Sequence, residues 1–260
     1  MSGDPVGSGG DLARRLLLAV QAGDQVAMQT VSTALAALAE DRLAADLPDD
    51  RTRIAAWLNL YNAAAQRLVE DAPDGYGQRT RFFRRPAITV AGTTLRLDTI
   101  EHGLLRHSRP KLGLGWITHP WPSAFERRLR VERVDPRIHF ALNCAAASCP
   151  PIAAYDPVRL DEQLELATCS YLGSTVRQHA GRLLLPRVFL WFAGDFGGPA
   201  GIRRFLERHG IATEGFRLRA SSWDWTLAPG AWVPTDPAAT EPQGPDAPVA
   251  MADVRNPTDQ

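Results

Sequence analysis

Between Arg137 and Pro151 the chain sets two of its three cysteines, Cys144 and Cys149, at the ends of a run of small residues, Ala145-Ala146-Ala147-Ser148, that stops at Pro150-Pro151. A cysteine becomes a nucleophile when its thiol pKa is lowered and a base or cation lies within about 4 Å. Of the six histidines, His102 and His139 are the two that lie among other chemically capable residues. Ile138, Phe140 and Leu142 alternate with Arg137, His139, Ala141 and Asn143, a period of two that predicts a buried strand ending at Cys144, and the proline pair forbids its continuation. By strand parity His139 faces away from Leu142, which makes His102 the expected general base for a Cys144 nucleophile. Asn59 and Asn62 would orient that histidine or donate to an oxyanion, and backbone amides of the 145–149 turn would add a second donor. Arg106, His139, Ser148 and Cys149 are the expected substrate contacts, Arg106 through a carboxylate of the substrate. This set describes a thiol enzyme acting by acyl transfer or hydrolysis on an amide, ester or thioester of a small molecule or peptide. Three other readings use the same residues. They are a non-catalytic binding or scaffold domain with a buried hydrogen-bond network, a zinc site of C-x4-C spacing completed by His102 and His139, and a redox-active Cys144–Cys149 pair.

The elements that must position these groups are legible as periodicities. Residues 11–45 carry Leu12, Leu16, Leu17, Val20, Val31 and Leu35 at helical spacing, predicting one or two amphipathic helices whose task is packing. A longer helix is expected over 52–70, with Ile54, Trp57, Leu58, Tyr61, Ala65 and Leu68 on one face and a polar stripe of Asn59, Asn62 and Gln66 beside it. Buried carboxamides need partners, so this stripe has a second use: tying down neighbouring loops. Ala87–Val90 and Thr94–Leu97 around Ala91-Gly92-Thr93 read as a hairpin. Asp98-Thr99-Ile100-Glu101 has capping-box spacing for a helix that carries His102 and Arg106 on one face and ends before Pro110. Asp156-Pro157 reads as the N-cap and first residue of a helix to about Leu172. Strands or a strand and short helix follow in 182–192, then a helix from Gly197-Gly198-Pro199 to Gly210. Asp195-Phe196-Gly197 copies a kinase tripeptide without its companion motifs, and Gly113-Leu114-Gly115 lacks the strand-turn-helix setting of a nucleotide loop.

Composition narrows the classes. The 260 residues carry 29 acidic and 29 basic side chains and a pI near 7.0, which gives no general pull toward nucleic acid or an anionic membrane. Lys111 is the single lysine, and the arginine bias beside so much alanine reflects coding composition. No apolar run approaches the roughly 18 residues that span a bilayer, and no leader is visible at the N-terminus, so the expectation is a cytoplasmic protein with neither a membrane nor a nucleic-acid partner and with no cofactor. Residues 1–10 and 234–260 read as disordered tails around one globular domain, 11–233.

In chain order, Trp57-Leu58-Asn59-Leu60-Tyr61-Asn62-Ala63, Leu97-Asp98-Thr99-Ile100-Glu101-His102-Gly103-Leu104-Leu105-Arg106, Asp135-Pro136-Arg137-Ile138-His139-Phe140-Ala141-Leu142-Asn143-Cys144, Ser148-Cys149-Pro150 and Asp224-Trp225-Thr226-Leu227 resemble the ordered motifs of the DUF547 family, a domain of unknown function found in bacteria and plants. The resemblance covers about 50–228 and leaves the N-terminal helices, 11–48, outside. In many plant members the position matching Cys149 is serine while that matching Cys144 is usually cysteine, so the resemblance implies that Cys144 is the more important thiol. The expected fold class is α+β, a helical N-terminal part packed on a small mixed β-sheet. By analogy alone it is similar to a permuted papain- or transglutaminase-like arrangement, because His102 precedes Cys144, and that comparison turns on whether the thiol sits at a strand end or a helix start.

Overall fold

A computed structural model describes residues 7–233; residues 1–6 and the expected tail 234–260 lie outside the described residues. Order begins earlier than the Gly/Ser run suggests, because the Ser8 side chain accepts the Asp11 amide and caps α1, Gly9–Ala22. Three N-terminal helices form where one or two are expected. Gly23, at φ 67°, closes α1, and the Asp24 side chain caps α2, Gln25–Ala37, by accepting from Ala27. The third, α3, spans Glu40–Asp46. Leu12, Leu16 and Leu17 of α1 are buried against α4, Asp50–Asp71, which begins in a reciprocal capping box between Asp49 and Thr52. The first two turns of α4 aside, nearly every side of it is buried, including Trp57 and Tyr61.

The hairpin β1 (Pro86–Val90) and β2 (Thr93–Arg96) forms as expected, its turn made by Ala91 and Gly92 at positive φ. The amides of those two residues donate to Leu35 and Ala36, clipping the turn to the end of α2. Thr99–Leu105 is a π-helix: the Arg106 amide donates to Glu101 and that of Ser108 to Gly103, each five residues back. Asp98 has helical dihedrals and caps nothing, so the expected capping box is absent.

The strand expected over 137–143 is not formed. Pro136–Phe140 is a 3-10 helix started by the Asp135 side chain, which accepts the Arg137 amide, with proline in its first turn. The alternation of apolar residues has another cause. Ile138 belongs to a first core built around α1–α4 and the hairpin, and Phe140 to a second core made with Tyr171, Leu183, Phe189, Phe196 and Phe205. The segment threads between two cores, burying successive side chains in different directions.

Beyond it, α6 is Ala124–Leu129 in the preceding connection, after the short α5, Arg79–Phe83, and α7 runs Leu160–Thr175. Asp156 and Pro157 form a turn ahead of α7 instead of its cap, the Asp156 side chain accepting from Val158. The second core lies under a three-stranded sheet ordered β3 (Arg177–His179), β4 (Arg182–Leu185), β5 (Arg217–Ala220), with β3/β4 antiparallel and β4/β5 parallel. The helices α8, Val188–Trp191, and α9, Gly198–Arg208, complete it. The fold class is α+β, with a separate hairpin and a mixed sheet in place of one sheet. Among the described residues no helix is long and apolar enough to cross a membrane.

Leu16 is fully buried between α1 and α4. Leu16→Ala is expected to lower unfolding free energy by about 2–5 kcal/mol with an unchanged m-value in urea denaturation, the cost of lost transfer energy and a cavity.

Candidate functional site

At the seam of the two cores lies a cavity of about 320 Å³. One wall is aromatic: Phe83 and Phe192, with Trp191, Trp223 and Trp225 clustered at ring separations of 5.1–5.9 Å. The other is polar, carrying Asp98, Glu101, His102, His139, Cys144 and Cys149, with Lys111 at its edge. A larger cleft of about 770 Å³ elsewhere is lined by Arg51, Arg133, Arg137 and Arg208. It holds no nucleophile, and Arg137 is already paired with Asp135 and Asp161, so the chemistry belongs to the smaller cavity.

The cysteines sit on a loop, neither at a strand end nor at a helix start, which leaves the papain-like comparison without the feature on which it turned. Carboxamides of α4 hold that loop. Asn59 donates to the carbonyl of Tyr155 (2.8 Å) and accepts its amide (2.9 Å). Asn62 donates to the Ala141 carbonyl (3.0 Å) and accepts the Asn143 amide (2.9 Å). Gln66 donates to the Asn143 side chain and accepts the Gly230 amide. Asn143 in turn closes the loop from inside, accepting the Ala145 amide and donating to the Pro150 carbonyl (2.7 Å). From outside, the 224–228 segment straps it: Ala147 donates to Thr226, Ser148 to Asp224, and Ala228 to Ala145. Ala145 adopts φ 64° in consequence, a left-handed conformation that costs an alanine roughly 1 kcal/mol and persists because the contacts around it over-determine it.

Within this loop the two sulfurs are 3.1 Å apart, both as free thiols. Cys149 Sγ also accepts the Cys144 amide at 3.3 Å. For Cys149, burial raises the thiol pKa, but the hydrogen bonds from the Cys144 thiol and from the Cys144 and Ala146 amides outweigh it and hold the value below that of an ordinary cysteine. Cys144 is the reverse case: donating to Cys149, burial and the neighbouring negative charge push its thiol well up. Of the two thiols Cys149 is thus the more readily ionised, where Cys144 was the one expected to be reactive. The Tyr76 hydroxyl lies beside the pair, and burial first, then the adjacent Cys144 and Cys149, raise its pKa.

The histidines also change places. His139 stacks on Phe192 (4.2 Å, 5°), and its Nε2 is 2.9 Å from Asp195 Oδ2, a carboxylate sealed from solvent. Burial raises the Asp195 pKa, but hydrogen bonds from His139 and Arg106 hold it well below the usual carboxylate range. An ionised carboxylate only accepts, so Nε2 of His139 carries the proton and Nδ1 keeps its lone pair. Arg106 Nη1 lies 3.0 Å from His102 Nδ1, and a guanidinium only donates. His102 therefore accepts at Nδ1 and carries its proton on Nε2, facing Asp98 at 3.8 Å. Burial lowers both histidine pKa values, so both rings are neutral near pH 7. One imidazole is thus an acceptor and the other a donor. No imidazole hydrogen-bonds either sulfur among the described residues.

Arg106 is fully buried, pairing with Asp195 (2.6 Å) and lying over Phe192, so it is not placed to hold a substrate carboxylate in the cavity. Asn59 and Asn62 do not line the cavity, their amides being committed to backbone; Ser148 is committed likewise, accepting the Asp224 amide on its hydroxyl and the Tyr171 hydroxyl on its carbonyl. His102, His139, Cys144 and Cys149 are brought together; Asn59, Asn62, Arg106 and Ser148 are not. Asp195 and the tryptophan wall are the groups sequence reasoning missed. The available signal for Asp195 was that a buried arginine and histidine require a carboxylate. Gly115 and Gly194 permit its placement: the Gly194 amide donates to Leu114 (2.7 Å), and a Cβ at Gly115 would lie 2.5 Å from Asp195 Oδ1. Among the described residues no group of three or more His, Cys, Asp or Glu is arranged to hold a metal ion.

The family model described as "Protein of unknown function, DUF547" matches residues 45–172. Over that span the chain matches the DUF547 family. The matched DUF547 region contains α4, the π-helix and the cysteine loop, and it excludes Asp195 and the Asp224–Leu227 motif expected within it. Comparison with curated proteins and with solved structures gives no match.

Two predictions test the construction of the site. Asn62→Asp puts a charge at a fully buried position and strips the Ala141 carbonyl of its donor, so it should cost about 3 kcal/mol or more in chemical denaturation. Stability should also fall on acidification. The folded-state pKa values of His102 and His139 lie below the unfolded value, so below about pH 6.5 the unfolded chain binds more protons, and stability drops by up to about 1.4 kcal/mol per pH unit for each ring. Asp195, depressed in the folded state, adds a further loss as pH falls below about 4. His139→Gln, which keeps a donor toward Asp195, should flatten the fall between pH 6.5 and 5, measured from denaturation midpoints.

Proposed function

We propose that this DUF547 protein is a cytoplasmic thiol enzyme that transfers or hydrolyses acyl groups, with Cys149 as nucleophile and His139 as general base oriented by Asp195. The observation that carries this reading is that one cavity holds both a cysteine sulfur that accepts a loop amide and an imidazole whose tautomer a sealed aspartate fixes. His139 Nδ1 takes the Cys149 thiol proton as the sulfur attacks the acyl carbon, forming the C–S bond, and the π electrons move to the carbonyl oxygen. The Cys144 and Ala146 amides, which steady the sulfur beforehand, are the loop donors nearest the new oxyanion; those of Ala145, Ala147, Ser148 and Cys149 are already bonded. Collapse expels the leaving group, which takes the proton that His139 Nδ1 accepted from the thiol. Water, deprotonated by the same nitrogen, then releases the acid and regenerates Cys149. His102 Nε2–H is a second donor at the cavity. The aromatic wall suits a substrate with an apolar or aromatic acyl group, a small molecule or a peptide.

A second reading, a non-catalytic domain that binds an apolar ligand in the same cavity, is favoured by the lack of an imidazole–sulfur hydrogen bond. One experiment separates them. p-Nitrophenyl esters and acyl thioesters of several chain lengths are offered to the wild type, Cys149→Ser and His139→Gln, with intact-mass detection of acyl adducts. A thiol enzyme gives an adduct mapped to Cys149, at least about 10²-fold slower turnover in Cys149→Ser, and a loss of about 10²–10⁴ in His139→Gln. An adduct confined to Cys144 would return the nucleophile to that residue, and saturable binding with no adduct at either thiol would leave the binding domain.

A further inference from the structure

We infer that Cys144 and Cys149 form a peroxide-responsive dithiol, in which Cys149 is the oxidised thiol and Cys144 the thiol that resolves it into a disulfide. The geometry is the basis. The sulfurs stand 3.1 Å apart in the reduced state, about 1 Å from disulfide bonding distance, and both cysteines line the cavity. The pairing is asymmetric, since Cys149 Sγ receives the Cys144 amide at 3.3 Å in addition to the contact between the two sulfurs, in which either can donate. Peroxide reacts with thiolates, and a cavity of about 320 Å³ admits it readily.

The chemistry balances with a hydroperoxide as the sole oxidant. The Cys149 thiolate attacks one peroxide oxygen, the O–O bond breaks, and the products are Cys149 sulfenic acid and hydroxide, or an alkoxide from an organic peroxide, once the proton is counted. The Cys144 sulfur then attacks the Cys149 sulfur, the S–O bond breaks, and the Cys144 proton leaves with the departing hydroxide as water. Two electrons have passed from the dithiol to one peroxide, and an external thiol restores both cysteines by exchange. The third cysteine, Cys169, provides an internal contrast. Its thiol is 3.8 Å from the Glu165 carboxylate, and burial and that negative charge raise its pKa, so it should react slowly.

The inference needs only the two thiols and does not depend on acyl transfer; its readout is the mass of the protein, whatever its turnover. Reduced protein is treated with limiting hydrogen peroxide, quenched, digested without reductant and read by mass spectrometry. The expected result is loss of two hydrogens in the peptide containing Cys144 and Cys149, reversed by dithiothreitol, and appearing at least about tenfold faster than any oxidation of Cys169. Cys144→Ser, folded by circular dichroism, should accumulate a dimedone adduct on Cys149, whereas Cys149→Ser should give little on Cys144. Oxidation that begins at Cys169, or a wild-type protein that shows over-oxidised sulfur without the internal disulfide, would overturn the proposal. A dimedone adduct on Cys144 in Cys149→Ser, equal to that on Cys149 in the converse variant, would overturn the assigned order.

Discussion

Three carboxamides on one buried helix constrain the whole site. Asn59, Asn62 and Gln66 face out of α4 toward chain that has no regular partner of its own, and between them they bond the backbone of Tyr155, Ala141, Asn143 and Gly230 and the Asn143 side chain. A loop in the interior is costly because its peptide groups lose water and must be repaid by partners. An asparagine offers a donor and an acceptor in one rigid group, which fits it to grip both sides of a peptide segment. The grip places the loop between two hydrophobic cores, and the cavity exists because the cores stop short of each other there.

The second constraint is charge. Arg106, Arg109 and His139 all converge on Asp195, whose carboxylate is sealed, and each pair would be expensive alone. Together they form a network in which one anion is shared, and its reach is chemical: through His139 it sets one tautomer, and through Arg106 and His102 the opposite tautomer on the neighbouring ring. The π-helix contributes directly. Its wider turn lets Glu101 take the Tyr61 hydroxyl while His102 and Arg106 remain in contact with each other.

Much of the framework was legible in the sequence, because periodicity and capping are local. The α4 helix, the hairpin and its turn, and the burial of the carboxamide stripe follow from patterns within a few residues. The family resemblance is shown over 45–172. Errors arose where a local pattern had a non-local cause. Ile138 and Phe140 alternate because they enter different cores, so parity misplaced His139, which in fact lines the cavity with Cys149 and Leu142. Asp195 is 56 residues from His139 and 89 from Arg106, and no spacing rule joins them. Asn59 and Asn62 had two sensible uses, and only the folded chain distinguishes a loop anchor from an oxyanion donor.

What lowers the Cys149 pKa has a consequence for the way such a site behaves. Most reactive cysteines depend on an imidazolium or a nearby cation. Here the nearest charges work the other way, since Glu101 raises both thiols, and the neighbouring imidazoles are neutral. What lowers Cys149 is a set of oriented dipoles, two amides and a thiol, each effective only at hydrogen-bond distance and angle. A charge acts over many ångströms and is screened by salt, but a dipole held at 3.3 Å depends on the loop that holds it. The lowered pKa of Cys149 is therefore tied mechanically to Asn62, Asn143 and Gln66, none of which lines the cavity, so loss of a loop anchor is also loss of the dipoles that act on this sulfur.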